Sequence, residues 1–410
     1  MRVFSIDRIP LLALGGLIIM SFAGANYYME NAPTLAESPF RPVWVTYDSH
    51  RALELTVIIL LALACAALPR LTKPVSTSWP VEYNGESAAS AAASWQVLAI
   101  GGVALGLFAK GEFLFYAPAY LSFAAPSPVV SLYGVLAPVV LIASGVVSER
   151  RPRVGFALAL LMTMILFAGA TRLMAGALVL FISGRWLGGG RTRPWAWLLS
   201  AAFAAVFLPI PLAMRNAPAH GLIPYASFTK ELFMQSGYVL RITDAVSENV
   251  GFTVPLLVHV ADYGHISPAD MMVQVNPAPA ALAGWNDLMP AMRVHWYIPY
   301  SMLGEFAHFG SLSLFAAVFA WGILTRLCIQ LAALSSSRIS LLLLVGELGM
   351  ALMSVLYASQ YNTRSVARIL WMMLLVILMS RLLDRVGRLP SPSDPRHQPQ
   401  GQPPIGKARP

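Results

Sequence analysis

Long apolar stretches separated by short polar turns constrain the fold of this chain more than any other feature. A helix needs roughly 20 apolar residues to cross the hydrocarbon core of a bilayer. That length predicts spans near residues 9–29, 52–69, 91–109, 128–147, 302–325, 339–357 and 366–383. Two shorter linked runs, Val154–Ala170 and Leu173–Gly184, and one near Trp195–Ala213 bring the total to about ten spans. The sequence therefore predicts an all-α fold, a polytopic transmembrane helix bundle.

Composition supports lipid as the main solvent of the chain. Of its 410 residues, 57% are hydrophobic and 11% are charged, whereas a soluble domain carries about a quarter charged residues. The net charge of +9 comes from Lys and Arg residues clustered in short loops, which is typical of membrane orientation signals and argues against nucleic acid as a partner. Cys65 and Cys328 lie in or at the end of apolar runs, so neither a disulfide framework nor redox chemistry is indicated.

The distribution of Lys and Arg predicts which side of the membrane each loop faces. With both termini in the cytoplasm of a bacterial inner membrane, 18 of the 28 basic residues lie inside. They are Arg2, Arg8, Arg70, Lys73, Arg150, Arg151, Arg153, Arg185, Arg191, Arg193, Arg326, Arg338, Arg381, Arg385, Arg388, Arg396, Lys407 and Arg409. Four of the other 10 lie in one long loop, where charge has little influence on topology, so the short-loop bias is 18 to 6. Cytoplasmic termini and a periplasmic long loop are therefore predicted.

The predicted spans divide the chain into four parts. Residues 1–213 hold the first seven transmembrane helices, and the first of these is interpreted as a retained helix because it continues past the length of a signal peptide. Residues 214–300 form the large periplasmic loop, and residues 301–385 hold the last three helices. Residues 386–410 are rich in Pro, Gln and Gly, which predicts a disordered cytoplasmic tail.

Two sets of apolar residues in the long loop have helical spacing. They are Phe228, Leu232 and Phe233, and then Leu256, Leu257 and Val260. This spacing predicts short amphipathic helices that lie on the membrane surface. Four prolines are expected to break the second half into irregular loop: Pro268, Pro277, Pro279 and Pro290.

Six of the seven histidines fall on the predicted outer side, so catalysis is expected there. No two of them have the compact spacing of a zinc site, and no Asp-x-Asp pair lies outside to hold a divalent metal. A metal-independent mechanism with no cofactor is therefore predicted. No cytoplasmic loop contains a Walker-type phosphate motif, which argues against nucleotide hydrolysis in this chain.

Arginines at the outer helix ends are the strongest candidates for ligand binding. Arg172, Arg215, Arg293 and Arg364 all fall there, with Arg368 close by. Guanidinium groups bind phosphate through paired hydrogen bonds, so several together would stabilise a diphosphate leaving group. The competing interpretation is that each arginine reaches out to lipid headgroups. Arg172 and Arg364 fit that alternative least, since both sit in very short turns.

Glu305 and His308 are candidates for catalysis at the outer start of a span. They are three residues apart and hence on one helical face, which would suit a general base and its orienting partner. Chance spacing is the competing interpretation. His259, His295 and Asp262 are the next candidates for the base.

Two further groups stand out. Glu347 lies deep within an apolar span, where a carboxyl group is either a structural hydrogen-bonding group or a functional one. Trp285, Trp296 and Tyr297 in the long loop could stack on sugar rings, although aromatic residues there also form interfacial belts.

Three segments resemble motifs of a known family. They are Phe167-Ala168-Gly169-Ala170-Thr171-Arg172 between two short helices, then Asn276-Pro277-Ala278-Pro279 followed by Ser301-Met302-Leu303-Gly304-Glu305-Phe306-Ala307-His308-Phe309-Gly310, and Gln360-Tyr361-Asn362-Thr363-Arg364. The first segment resembles a Gly-Ser-Arg turn, with Ala-Thr in place of the usual small pair. The second resembles an Asn-Pro-x-Pro loop followed by a Glu-x-x-x-x-Gly helix start. The third resembles an arginine-containing turn late in the chain. Over residues 150–385 the chain resembles the Wzy-type O-antigen and oligosaccharide repeat-unit polymerases, and more loosely the O-antigen ligases.

The resemblance implies a glycosyltransferase that uses undecaprenyl-diphosphate-linked oligosaccharides as donor and acceptor on the periplasmic face. It also implies membrane lipid as a partner, with a chain-length regulator and a flippase of the same pathway as potential partners. A ligase that moves a finished chain to a lipid A core is the nearest alternative. A transporter or flippase of lipid-linked sugars is the alternative from another class, and it would show repeat symmetry and charges along several helices. No such internal repeat is evident in the sequence.

Overall fold

The computed structural model describes residues 6–31, 41–69, 85–119, 122–171, 173–188, 192–214, 217–234, 250–295, 298–334 and 340–386. The first ten α-helices are α1 Ile9–Asn31, α2 Arg41–Val45, α3 Ser49–Ala67, α4 Gly85–Lys110, α5 Ser127–Ser148, α6 Pro152–Ala168, α7 Leu173–Leu187, α8 Pro194–Phe207, α9 Pro209–Met214 and α10 Leu222–Met234. Then follow α11 Thr253–Tyr263, α12 Pro268–Val275, α13 Trp285–Leu288, strands β1 Arg293–His295 and β2 Ile298–Pro299, and helices α14 Met302–His308, α15 Ser311–Ala333, α16 Ser340–Gln360 and α17 Thr363–Val386.

The helices confirm the predicted all-α, polytopic bundle. Within the described ranges, 7 helices are long and apolar enough to cross a membrane: Ile6–Glu30, Ser49–Ala67, Ala93–Leu114, Pro128–Ser148, Ser311–Ala333, Leu343–Gln360 and Thr363–Leu382. Three shorter apolar helices, Pro152–Ala168, Leu173–Leu187 and Trp195–Ala204, occupy the remaining predicted spans. The chain is a multi-pass membrane protein.

Two of the predicted spans are each divided into two helices. The span expected at 302–325 is α14 and then α15, separated at Gly310, whose φ of 99° lies where only glycine is unstrained. The span expected at 195–213 is α8 and then α9, which begins at Pro209 after a break at Leu208. The first division places α14 outside the candidate membrane span Ser311–Ala333.

The spans pack as two groups with separate cores. Helices α4–α7 surround one core, which includes Val140, Met162 and Met174. Helices α1, α3, α11 and α14–α17 surround a second core, which includes Ile18, Ile59 and Leu303. Helices α5 and α16 contact each other and join the two groups.

Helix α5 crosses α7 at close range. A Cβ placed on Gly184 of α7 would lie 1.9 Å from the Ile142 carbonyl oxygen, and one on Gly145 of α5 would lie 2.1 Å from the Phe181 oxygen. Small residues at such a crossing let two backbones touch, which is how helices associate in lipid without a hydrophobic driving force.

Helix α11 corrects the expectation of a surface helix. Leu256, Leu257 and Val260 are buried, and so are Thr253, Val254 and Val258 on its other sides. A helix that is apolar all round belongs in a core, and the spacing of three residues alone could not show this. The long loop therefore folds back into the second helix group, where the Ser21 hydroxyl of α1 donates to the Gly251 oxygen and accepts from the Val254 N–H at 2.8 Å.

Helix α12 and the β1–β2 hairpin form a small cap beside α11. Pro268, expected to break structure, instead begins α12 at its first position, where a missing N–H costs nothing. The Ser267 hydroxyl and the Asp270 carboxylate complete a capping box at that end. The cap shares an apolar cluster with α1, α2 and α11, which includes Trp44, Leu256 and Met292.

A buried ion pair joins the segment just before α1 to α15. The Arg326 Nε donates to Asp7 Oδ2 at 2.7 Å, and each side chain is 2% exposed. The same carboxylate accepts from Gln330, while the Arg326 guanidinium also donates to the Ala66 and Pro69 oxygens. Arg326 was predicted to be a charge in a cytoplasmic loop. It instead lies inside α15, where an acid and two carbonyls compensate its charge.

Candidate functional site

Two of the three motif regions meet at one end of the second helix group. The turn Gln360–Arg364, between α16 and α17, contacts both α14 and the C-terminal end of α12. The Met302 N–H donates to the Tyr361 oxygen at 2.8 Å, and the Arg364 N–H lies 3.4 Å from Gln274 Oε1. Segments far apart in the sequence therefore build one site.

Glu305 lies at the centre of this junction. Ser301 caps α14 by accepting from the Gly304 N–H at 3.1 Å, and this start places Glu305 in the first turn of the helix. Its carboxylate is 0% exposed, and Oε2 accepts from the Thr363 N–H at 2.9 Å. No hydrogen-bond donor among the described residues reaches Oε1.

The environment of Glu305 favours a carboxyl group that titrates near neutral pH. Burial raises its pKa to about 7, while interactions with Thr363 and Gln274 oppose that rise. Thr363 is also the first residue of α17, so the carboxylate faces the positive end of a helix dipole. A group with a pKa near the working pH is suited to general acid–base catalysis.

Arg364 holds the cap in place. Its Nη1 donates to the Val273 oxygen at 2.8 Å and to the Asn276 oxygen at 3.3 Å, and its Nη2 donates to the Ala278 oxygen at 2.8 Å. These carbonyls belong to the C-terminal end of α12 and the Asn-Pro-x-Pro segment, where helix carbonyls lack partners of their own. The side chain is 1% exposed.

This arrangement differs from the predicted roles of Arg364 and Trp285. The Arg364 guanidinium faces carbonyl oxygens instead of an open anion site, because its motif neighbour Asn276–Pro279 folds over it. Trp285 is buried beneath the guanidinium, with its ring centre 5.5 Å from the Arg364 Cζ, so its face is not open to a sugar.

Glu305 and His308 do not form the predicted pair. The His308 Nδ1 lies 3.2 Å from the Ala261 oxygen of α11, whereas the Glu305 carboxylate turns toward Thr363. Positions three apart share a helical face, but α14 is packed between α11 and α17, and each side chain bonds to a different neighbour. Their spacing was therefore not evidence of a dyad.

The other candidate bases have partners of their own near the same end. His259 Nδ1 lies 2.7 Å from the Thr46 hydroxyl, and burial lowers the pKa of its imidazole while Asp262 opposes the change. The Asp262 carboxylate accepts from Arg51 Nε at 3.4 Å. His295 lies at the exposed end of β1.

The structure describes only two of the four arginines predicted to bind diphosphate. Arg172 and Arg215 lie outside the described residues, as do the sugar-binding candidates Trp296 and Tyr297. Arg293 is in β1 and half-buried. Convergence of these arginines on one diphosphate therefore stays a prediction, and Arg364 is committed to the cap.

Two residues that the sequence did not single out, Gln274 and Thr363, contribute directly to the Glu305 environment. Gln274 is buried in α12. In the sequence it is a polar residue between the apolar residues Val273 and Val275, and this pattern could have marked it as a candidate. Glu347 was interpreted as either a structural hydrogen-bonding group or a functional one. Both of its carboxylate oxygens are buried without a hydrogen-bond partner among the described residues, which does not fit the structural interpretation. Within the same part of the chain, no three His, Cys, Asp or Glu side chains cluster as a metal site would require.

Comparison with known protein families, with curated protein sequences and with solved structures finds no match to this chain.

Proposed function

We propose that this protein is a membrane glycosyltransferase that polymerises undecaprenyl-diphosphate-linked oligosaccharide repeat units on the periplasmic face of a bacterial inner membrane. The motif resemblance motivates the choice of reaction. The observation that supports it most is the environment of Glu305, a buried carboxylate with one oxygen unpartnered and a pKa near 7. Such a group is suited to accept a proton from a sugar hydroxyl.

In the proposed reaction Glu305 acts as the general base. The hydroxyl oxygen of the acceptor sugar attacks the anomeric carbon of the donor chain, and its proton passes to Glu305. The bond between that carbon and the diphosphate oxygen breaks, and its electron pair leaves with undecaprenyl diphosphate. Cationic groups near the diphosphate would stabilise the leaving-group charge.

Substrate access requires the cap to move. Glu305 is fully covered in this structure, and its cover includes α12, which Arg364 attaches to the start of α17. Separation of α12 and the Asn276–Pro279 segment from the Gln360–Arg364 turn would expose the unpartnered oxygen. A closed cover also excludes water, which limits hydrolysis of the donor between turnovers.

Transport is the second candidate function. It is favoured by one observation, the unpartnered Glu347 carboxyl inside the span Leu343–Gln360. Under that function the Glu305 site would bind sugar without forming a bond.

The test combines a deletion strain with a purified assay. Loss of the gene should give lipopolysaccharide with a single repeat unit, whereas accumulated lipid-linked polymer would indicate a ligase and failure to export repeat units would indicate transport. In the assay, the rate of the wild-type enzyme should fall as the pH drops below about 7, because Glu305 becomes protonated.

Glu305→Gln should lower turnover by about 10² to 10⁴-fold and abolish that pH dependence. Glu231→Gln, at an exposed position of α10, is the matched control and should behave as the wild type. A Glu305→Gln enzyme that keeps full turnover would move the base to another residue.

A further inference from the structure

A buried lysine, Lys110, lies at the end of α4 in the first helix group. It is the last residue of that helix and falls inside the apolar span Ala93–Leu114. The residue is 2% exposed, so its ammonium group has little contact with solvent. A charge in this position is costly unless a partner compensates it.

The compensation available to Lys110 is incomplete. Its Nζ donates to the Ser122 oxygen at 3.2 Å and lies 4.0 Å from the centre of the Phe123 ring. The ion pairs found in the described part of the chain do not include it, and its nearest acid in sequence, Glu112, is exposed. Arg326, another buried basic residue inside an apolar span, by contrast forms an ion pair with Asp7.

The Lys110 ammonium also adjoins the first motif turn. A Cβ placed on Gly169 would lie 3.3 Å from the Lys110 Nζ, which shows that the amine rests against the backbone of that turn. Ala170 in the same turn has a φ of 46°, an uncommon conformation for a residue with a side chain. Arg172 follows two residues later in the sequence.

His220 reports the positive charge of this region. It pairs with Ala117 in a short bridge beside the end of α4, and its Nδ1 lies 2.6 Å from the Tyr225 hydroxyl. The pKa of His220 is lowered by burial first and by the charge of Lys110 second. The charge of Lys110 therefore disfavours a second cation beside it, whereas an anion would be favoured there.

We propose that Lys110, together with the Gly169–Thr171 turn, binds a phosphate group of the ligand. An ammonium group without a carboxylate partner is stabilised strongly by a bound anion. Phosphate oxygens can accept hydrogen bonds from its three N–H groups. The inference rests on the proposed function for the identity of the ligand, a polyprenyl diphosphate, but the anion site does not depend on the reaction. Lys110 would then hold the diphosphate from a helix that carries none of the motifs.

Binding to the purified full-length protein in detergent can test this site without measuring any reaction. The probes are farnesyl diphosphate, inorganic pyrophosphate, and farnesol, which lacks the anion. We expect Lys110→Met to weaken farnesyl diphosphate binding by about tenfold or more, which corresponds to roughly 1.4 kcal/mol. Lys110→Arg should retain binding within a few-fold, because the charge remains. Lys230→Met, at an exposed position of α10, is the matched control and should bind as the wild type.

The probes separate the sources of phosphate. Binding of farnesyl diphosphate but not pyrophosphate supports a lipid-linked ligand, and comparable binding of both supports a site for the free anion. Equal binding of farnesyl diphosphate by the wild type and Lys110→Met would overturn the proposal, as would a Lys110→Met variant whose affinity for farnesol falls by the same factor as its affinity for farnesyl diphosphate. Size-exclusion profiles and the unaltered binding of Lys110→Arg guard against misfolding.

The proposed function can fail separately from this site. A deletion strain with normal polysaccharide would refute the polymerase while leaving Lys110-dependent binding intact. Lys110-independent binding in a protein that makes polymer would refute the site and leave the polymerase standing.

Discussion

The two ends of the second helix group bury charge in opposite ways. At one end the Arg326 Nε lies 2.7 Å from Asp7 Oδ2, and the other guanidinium nitrogens donate to backbone carbonyl oxygens. At the other end Glu305 and Arg364 come from neighbouring segments, yet the carboxylate bonds to a backbone N–H and the guanidinium to backbone oxygens. No ion pair joins them in the described structure.

This difference is the one expected between a structural site and the proposed functional site. A buried acid and base that neutralise each other keep their charge and hold helices together, although removing one partner is expensive. A buried acid with no cation beside it is harder to ionise, so its pKa rises. Such a group can therefore take up or release a proton near neutral pH. Groups with such perturbed pKa values cluster at functional sites, which is why Glu305 is the candidate.

The largest expected effect comes from breaking the paired end. Asp7→Ala leaves the Arg326 charge buried without an acid, and we expect the free energy of unfolding to fall by about 3 to 5 kcal/mol. Thermal unfolding in detergent measures this loss. Glu54→Ala, in the exposed pair with Arg51, is the control and should cost about 1 kcal/mol or less. Equal losses in the two variants would show that the buried pair is not structural.

At the unpaired end, replacing the acid is expected to raise the free energy of unfolding instead of lowering it. The pKa of Glu305 is raised, so its contribution to stability is complete below its unfolded value of 4.5 and is lost as the pH rises through about 7. Glu305→Gln removes that loss and should make the protein more stable than the wild type at pH 8, by an amount on the order of 3 kcal/mol. Unfolding temperatures from pH 5 to pH 8 measure it, and parallel curves for both proteins would contradict the assigned pKa.

A smaller loss is expected for the cap. Arg364→Lys keeps the positive charge but loses the planar geometry that reaches the Val273, Asn276 and Ala278 oxygens together. We expect a loss of about 1 to 3 kcal/mol in thermal unfolding and faster proteolysis near residues 276–279. Arg368→Lys, on the exposed side of α17, is the control. An unaffected cap in Arg364→Lys would return Arg364 to the set of predicted diphosphate ligands.

The sequence predicted most of the helices because membrane spans are local. Each must satisfy its own backbone and present apolar side chains to lipid, so length and hydropathy alone locate α1, α3, α5 and α17 to within a few residues. It also singled out Glu305 as a candidate, since a carboxylate at the start of an apolar run is conspicuous. The division at Gly310 was missed because apolar residues continue across it, and hydropathy does not register a change of backbone direction.

What only the tertiary structure decided is which polar groups meet. Spacing within one helix suggested Glu305 with His308, whereas packing brought Glu305 to Thr363, from a segment 58 residues away. Four arginines were predicted to share one diphosphate site, yet Arg364 bonds to carbonyls of the cap because α12 ends beside it. Lys110 was one basic residue among 28 in the sequence, and only burial without an acid made it stand out. Hydrophobicity is a property of each residue, but the compensation of a charge depends on partners that only the folded chain brings together.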